Sequence, residues 1–322
     1  MDIKLNKEQR LIGLIKKITN EILIGDDCAV LPGERLVSSD MLIEGKHFLL
    51  PQMSFDDLGW KAMAVNLSDI AAMGGTAEYA FVNIGMPESI SDEDFENLYR
   101  SMNECAQRYG CRIVGGDLTA SPVLVVSITV MGTGAGFLRS AARPGDIVIV
   151  TGDFGASALG LELILKGIPA DAKESYVMKR HLRPEPRLTE GRILAGAALS
   201  QPLAMMDASD GLADALLQIA GLSGIAIEID ANKVPIHLET LELAVEMNLD
   251  SLELALYGGE DYELVACVSE SDLSKLQKNG AAFKPIGRVL NGEGVSLLFN
   301  GKESIKLDYG KTFQHWKDSV QL

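Results

Sequence analysis

Carboxylates set directly behind glycines and serines, and hard against apolar runs, constrain this chain more than any other feature. They form six clusters: Gly25-Asp26-Asp27, Ser38-Ser39-Asp40, Asn66-Leu67-Ser68-Asp69, Gly115-Gly116-Asp117, Asp207-Ala208-Ser209-Asp210-Gly211 and Gly258-Gly259-Glu260-Asp261. Burying an unpaired carboxylate in apolar surroundings is costly. One Asp at a strand end is ordinarily a cap or a turn. Six clusters spread over most of the chain point instead to carboxylates converging on shared cations. Hard oxygen ligands suit Mg2+, and Mg2+ held this way commonly carries phosphate groups. The expectation is an enzyme that handles a nucleotide or a phosphate ester through several Mg2+ ions.

The chain has 322 residues, 47% hydrophobic and 23% charged, which allows a sizeable core and favours two domains. A net charge of −16 argues against general nucleic-acid binding, which needs clustered Lys and Arg. The one compact basic stretch, Lys179-Arg180-His181 with Arg183 and Arg187, reads as a solvated helix end. An acidic protein still binds ATP if metals supply the positive charge locally. Cys28, Cys105, Cys111 and Cys267 form no C-x-x-C pair and read as reduced, partly buried thiols. The polar stretch Met1–Arg10 does not read as a signal peptide, so none is expected, and no apolar run reaches membrane-spanning length. A cytoplasmic protein with no membrane partner is expected.

Periodicity predicts an amphipathic helix over 7–19 and short strands at Cys28–Leu31 and Leu36–Ser39. A helix over Asp56–Met73 starts near Ser54 and stops at Gly74-Gly75. Ser91-Asp92-Glu93-Asp94 is a capping box for a helix ending near Gly110, and Ile113-Val114 and Val123–Met131 read as strands. Gly132-Thr133-Gly134-Ala135-Gly136 breaks the composition, giving expected domains 1–137 and 138–322. Alternating strands and helices in both halves predict an α/β (α+β) chain: two lobes with mixed sheets and flanking helices.

Common phosphate motifs fail. Gly310-Lys311-Thr312 has a P-loop ending, but position 305 is Ile, and Gly132-x-Gly134-x-Gly136 lacks the dinucleotide spacing. There is no G-x-S-x-G elbow and no H-E-x-x-H, and four histidines make a zinc site a poor expectation.

The clusters themselves admit two readings each. Asp26 and Asp27 are a turn entering a strand, or a pair with one member facing a site. Ser38-Ser39-Asp40 is a hydrogen-bonded turn or a hydroxyl–carboxylate share of a Mg2+ shell. Asn66 and Asp69 share one helix face, so in an apolar helix they need either a helix-end bond or a metal–phosphate partner. Gly115-Gly116 permits close backbone approach to phosphate. Ser209 or Asp210 reads as an ordinary cap, which leaves Asp207 unexplained. Arg139 and Arg143 offer cations to phosphates or to surface salt bridges. His47, alone, is more often structural, although Lys46 and Phe48 beside it suit a phosphate and a ring.

Taken together these strings resemble the thiamine-monophosphate kinase family of the aminoimidazole ribonucleotide synthetase superfamily. The resemblance runs through Gly25–Ala29, Ser39–Leu42, Gly45–Phe48, Lys61–Gly74, Gly115–Asp117, Lys179–Pro184, Asp207–Leu212 and Gly258–Leu264, in the family's order over nearly the whole chain. It implies an aminoimidazole ribonucleotide synthetase-like fold with ATP between two α/β lobes. The implied reaction is direct in-line transfer of the ATP γ-phosphoryl group to thiamine monophosphate, the last step of thiamine diphosphate biosynthesis. The implied metal ligands are Asp27, Ser38, Ser39, Asp40, Asp69, Asp117, Asp207 and Asp210, with Asp27, Asp69, Asp117 and Asp210 essential to catalysis. Gly116, Asp117, Arg139 and Ser209 would touch ATP, and His47 and Glu260 the thiamine substrate. A C-terminal aromatic would cover its rings: Trp316, with Phe313 and Tyr309 as alternatives. The family often has Thr where Ser39 stands, which keeps the hydroxyl, and a His-Phe tail where this chain has His315-Trp316. A homodimer is implied by the resemblance alone.

Two other classes fit parts of the pattern. One is another ATP-using synthetase of the superfamily; its selenium and carbamoyl members use a reactive Cys near a terminus, which Cys28 and Cys267 do not supply. The other is an acidic metal- or nucleotide-binding module, which predicts ATP binding without ADP production.

Overall fold

The computed structural model describes residues 7–167, 175–197, 199–301 and 303–312. In the first half, β1 (Ala29–Leu31), β2 (Arg35–Ile43), β3 (Gly75–Met86), β4 (Arg112–Ala120) and β5 (Val125–Gly134) form one sheet, in the order β1-β2-β5-β3-β4. Only β3 and β4 run parallel in it. Alternation along the strands gives this sheet one buried face, carrying Ala80, Val82, Ile84, Val126, Ile128 and Val130. The opposite face exposes Met41, Tyr79 and Phe81.

The buried face packs on α2 (Phe55–Ala72), with α3 (Asp92–Arg108) beside it. The Ser54 hydroxyl caps α2 by accepting the Asp57 N–H at 3.1 Å. Fourteen of the 18 residues of α2 are buried, so it is a central helix rather than a surface one. Gly59 allows α2 and α3 to approach closely, because a Cβ there would run into the Leu98 carbonyl.

The second sheet contains β6 (Ile147–Val150), β7 (Ala204–Asp207), β8 (Ala226–Asp230), β9 (Leu264–Val268), β10 (Lys284–Leu290), β11 (Gly294–Phe299) and β12 (Glu303–Lys306). Its order is β12-β11-β8-β10-β6-β9-β7, with only β8 and β11 parallel. Both of its faces are covered. Ile149, Met205 and Ala266 face the core shared with α2, α4 (Ala156–Leu165) and α5 (Tyr176–Leu182), whereas Val148, Met206 and Val265 face α7 (Leu212–Ser223). The molecule is therefore an α/β protein of two lobes with mixed sheets and flanking helices, as its patterning predicts.

Three local expectations change. The strand expected at Ile113-Val114 runs on through Gly115-Gly116-Asp117, because parallel pairing with β3 carries the chain past the glycines with a register shift at Ala80/Phe81. Neither Ser209 nor Asp210 caps α7, whose N-cap is Gly211, with no side-chain cap bond. The basic stretch is not solvated throughout: Arg180 and His181 are buried. Arg180 and Arg187 both donate to the buried Glu263, Arg180 at 2.6 Å and Arg187 Nε at 2.7 Å, and Thr151 donates to it at 2.6 Å. A charge cluster of this kind is stable in a core only when its hydrogen bonds are met.

Candidate active site

Four short stretches converge where α2 passes between the sheets. Ser38 and Asp40 share one face of β2 and meet α2. The Asp40 N–H donates to Asn66 Oδ1 at 3.0 Å, and Asn66 Nδ2 donates to the Ala62 carbonyl at 2.9 Å. The Ser38 hydroxyl donates to Asp69 Oδ2, one helical turn further along the same face. Ser39 points to the other side of the sheet, where Thr129 Oγ1 donates to it at 3.0 Å. Ser68 turns toward the second lobe and donates to Asp207 Oδ2, at the end of β7, at 2.5 Å. The segment after β7 is stitched to the Gly259–Tyr262 loop: Glu260 N–H donates to the Ser209 carbonyl at 2.6 Å and Tyr262 N–H to that of Ala208 at 3.2 Å. Gly259, Glu260 and Tyr262 all have left-handed φ, at 73°, 58° and 53°, a strained course for Glu and Tyr.

Carboxylate oxygens of Asp27, Asp69 and Asp207 lie within 4.8 Å of one another. Burial first, and then the charges of Asp40, Asp207 and Asp27, raise Asp69 well above the usual carboxylate range, against a smaller lowering by Ser38. Asp207 is pushed up to about 7 by burial and then by Asp27, although Ser68 and Arg139 oppose this. Burial, followed by Asp214, Glu8, Asp207 and Glu260, raises Asp210 well above its ordinary value. Arg139 is the close cation: it donates to Asp27 Oδ1 at 2.6 Å and to Gln218 Oε1 at 2.7 Å, and its own N–H donates to Asp26 Oδ1 at 2.8 Å. The arrangement is an oxygen-rich nest with more negative charge than Arg139 can balance.

The nest opens into a cavity of about 880 Å³. Of the residues singled out from the sequence, Asp27, Ser38, Ser39, Asp40, His47, Asp69, Arg139, Asp207, Ser209, Asp210 and Glu260 line it, as does Tyr309. His47 is fixed through Nδ1, which accepts the Ile43 N–H at 3.0 Å. Gly116 and Asp117 do not border the cavity; they lie exposed on β4, at the edge of the first sheet. A Cβ on Gly116 would collide with the Val82 carbonyl, so close packing against β3 requires glycine there. Trp316 and Phe313 fall outside the described residues.

Other cavity residues were not assigned a role from the sequence. Glu8, Ile12 and Lys16 of α1 (Lys7–Thr19) form one wall, and His181, Asp214, Gln218 and Tyr262 others. Lys61 reaches Glu260 from inside α2, at 3.0 Å. Its signal was present in the sequence as a lone cation in the apolar run Trp60–Val65.

Comparison with known proteins shows the family. Residues 25–135 match the model of the AIR synthase related protein N-terminal domain, and 143–300 that of the C-terminal domain. The class is thus that of the AIR synthase related proteins. Thiamine-monophosphate kinase of Bacillus subtilis is 38% identical over 92% of this chain and 94% of that one. The Escherichia coli K12 enzyme of the same name is 36% identical over 92% of each. The solved structure of AaThiL complexed with AMPPCP and TMP superposes with a TM-score of 0.82 at 34% identity, covering 96% of this chain and 99% of that one. The chain belongs to the thiamine-monophosphate kinase family.

Proposed function

We propose that this chain transfers the γ-phosphoryl group of ATP to thiamine monophosphate, giving ADP and thiamine diphosphate. The observation that carries the reading is the nest of buried Asp27 and Asp207 with half-buried Asp69 beside Arg139, opening into a cavity of about 880 Å³. That volume lies in the range of ligand pockets.

The nest fits Mg2+. Its donors are all oxygen, three carboxylates offer oxygens within 4.8 Å of one another, and burial with mutual repulsion raises Asp69 and Asp207. Asp27, Asp69, Asp207 and Asp210 would hold the ions, with Asp40 and the Ser38 hydroxyl beside them. Bound Mg2+ would neutralise the phosphates of donor and acceptor. The chain's own groups then orient and exclude water. Arg139 aims its guanidinium at the phosphate end, held there by Asp27 and Gln218. Ser38 and Ser68 fix the carboxylates to which they donate. His47 and Glu260, both on the cavity wall, would contact the thiamine rings. The acceptor phosphate has its second pKa at about 6 and is largely dianionic at neutral pH. It therefore attacks without a general base: a bond forms from its oxygen to Pγ, the β–γ bridge breaks, and ADP leaves with the electron pair. The buried His181, kept neutral chiefly by burial, suits a reaction that needs no general base.

Gly116 and Asp117 enter the proposal through a homodimer. The exposed face bearing Met41, Tyr79 and Phe81 would pair with a second copy and bring β4 to its nest. Sedimentation of the wild type and of Phe81→Glu tests this; a wild-type monomer contradicts it. The lobes are proposed to divide at 137/138. A cytoplasmic location is supported by four cysteines that are all free and buried.

Stereochemistry tests the reaction. With isotopically chiral γ-phosphate, direct transfer predicts inversion at phosphorus in thiamine diphosphate. Retention would require a phosphoenzyme, for which the proposal has no nucleophile.

A further inference from the structure

The nest accounts for the acidic clusters but leaves a buried lysine unexplained. The Lys61 side chain is wholly enclosed, on a helix whose neighbouring positions are core. Lysine is almost never this buried unless paired. Among the described residues Glu260 is the carboxylate that meets it. The ammonium straddles the carboxylate, 3.0 Å from Oε1 and 3.1 Å from Oε2. Glu260 keeps about a quarter of its side chain exposed, at 27%, and lines the cavity. His181 flanks it, with Nδ1 3.5 Å from Oε2 and 3.1 Å from Ser157 Oγ.

A buried ion pair is weak evidence for a stabilising role, since apolar residues of similar volume serve a core as well. This pair has one partner in the core and the other at the cavity wall, so its effect is delivered to the cavity. Glu260 also has left-handed φ, in a loop tied to Ser209. Acids crowd it, Asp210 among them. Burial alone would raise its carboxyl; Lys61, by its charge and its hydrogen bond, is the foremost cause that holds it below its ordinary value.

We infer that Lys61 is a positioning residue: it fixes the Glu260 carboxylate that receives the cationic thiazolium part of the acceptor. This rests on the reading that Glu260 contacts the thiamine substrate. Lys61 itself stays behind the wall and touches neither substrate. Its ammonium partly cancels the long-range pull of Glu260, so its contribution is orientation at contact range. The loss should fall on acceptor binding and spare both ATP binding and the phosphoryl step.

The experiment is steady-state kinetics of the full chain with Lys61→Met, Glu260→Gln and the double variant. Lys61→Met is expected to raise KM for thiamine monophosphate about ten-fold or more, with kcat and KM for ATP within about two-fold. The double variant should match Glu260→Gln alone, because the two side chains act as one unit. Glu260→Gln raising KM while Lys61→Met leaves it unchanged overturns this inference alone, as does a double variant whose effect is the product of the singles. Glu260→Gln without effect on KM overturns the substrate reading and this inference together. Should Lys61→Met fail to fold, the double variant should fold, since the orphaned carboxylate is gone. A double variant that also fails to fold overturns the inference.

Discussion

Replacing Asp207 with Asn should stabilise the metal-free protein while abolishing its response to Mg2+. Asp207 is enclosed at the end of β7, with Asp27 and Asp69 within 4.8 Å and the Ser68 hydroxyl as donor. Its folded pKa of about 7 stands above the ordinary 3.8, with burial the first cause and Asp27 the second. A carboxyl raised by folding binds its proton more tightly in the native state, so stability falls as pH rises from 3.8 to 7 and levels off above. The full displacement corresponds to on the order of 4 kcal/mol, shared among the coupled carboxylates. For a chain of this size that is several degrees in Tm. The assay is thermal unfolding in chelator from pH 4 to 8, wild type against Asp207→Asn. The two should melt together near pH 4, with the variant's advantage growing to about pH 7 and then holding. Adding Mg2+ at pH 8 should raise the wild type and leave the variant nearly unmoved. A variant that melts lower than wild type at every pH, or a difference that ignores pH, would refute the crowded-carboxylate argument.

Asp27→Ala, Asp69→Ala and Asp210→Ala should each abolish turnover with near-native circular dichroism; normal turnover in all three at equal Mg2+ contradicts the metal reading. Glu263→Gln should cost about 3–5 kcal/mol in urea unfolding, because Arg180 and Arg187 lose a buried counter-charge. A loss below about 1 kcal/mol would mean that water already screens that cluster. Leu67→Ala, at a fully buried α2 position, should cost about 2–5 kcal/mol through lost burial and the cavity left behind.

The parts of this molecule visible in its sequence are those with a local physical cause. Ser54 and Ser91 announce their helices because capping is a contact across three residues. Asn66 and Asp69 announce a shared face because helical spacing fixes it, and the structure turns that face onto β2. What the sequence hid is set by long-range pairing. Gly115-Gly116-Asp117 reads as a glycine pair open to a ligand just past a short strand, yet pairing with β3 makes it strand. Arg180 and Arg187 look solvated until Glu263, 76 residues or more away along the chain, brings them inside. Lys61 was visible as an oddity in an apolar helix, but its partner at position 260, 199 residues on, follows only from the fold.

The most direct test of the account is simultaneous measurement of ADP and thiamine diphosphate from ATP, Mg2+ and the full chain, with and without thiamine monophosphate. The account predicts that both products rise together, one for one, and only when the acceptor is present. ADP formed at the same rate without acceptor, or acceptor present and no thiamine diphosphate from folded protein that binds ATP, would contradict it.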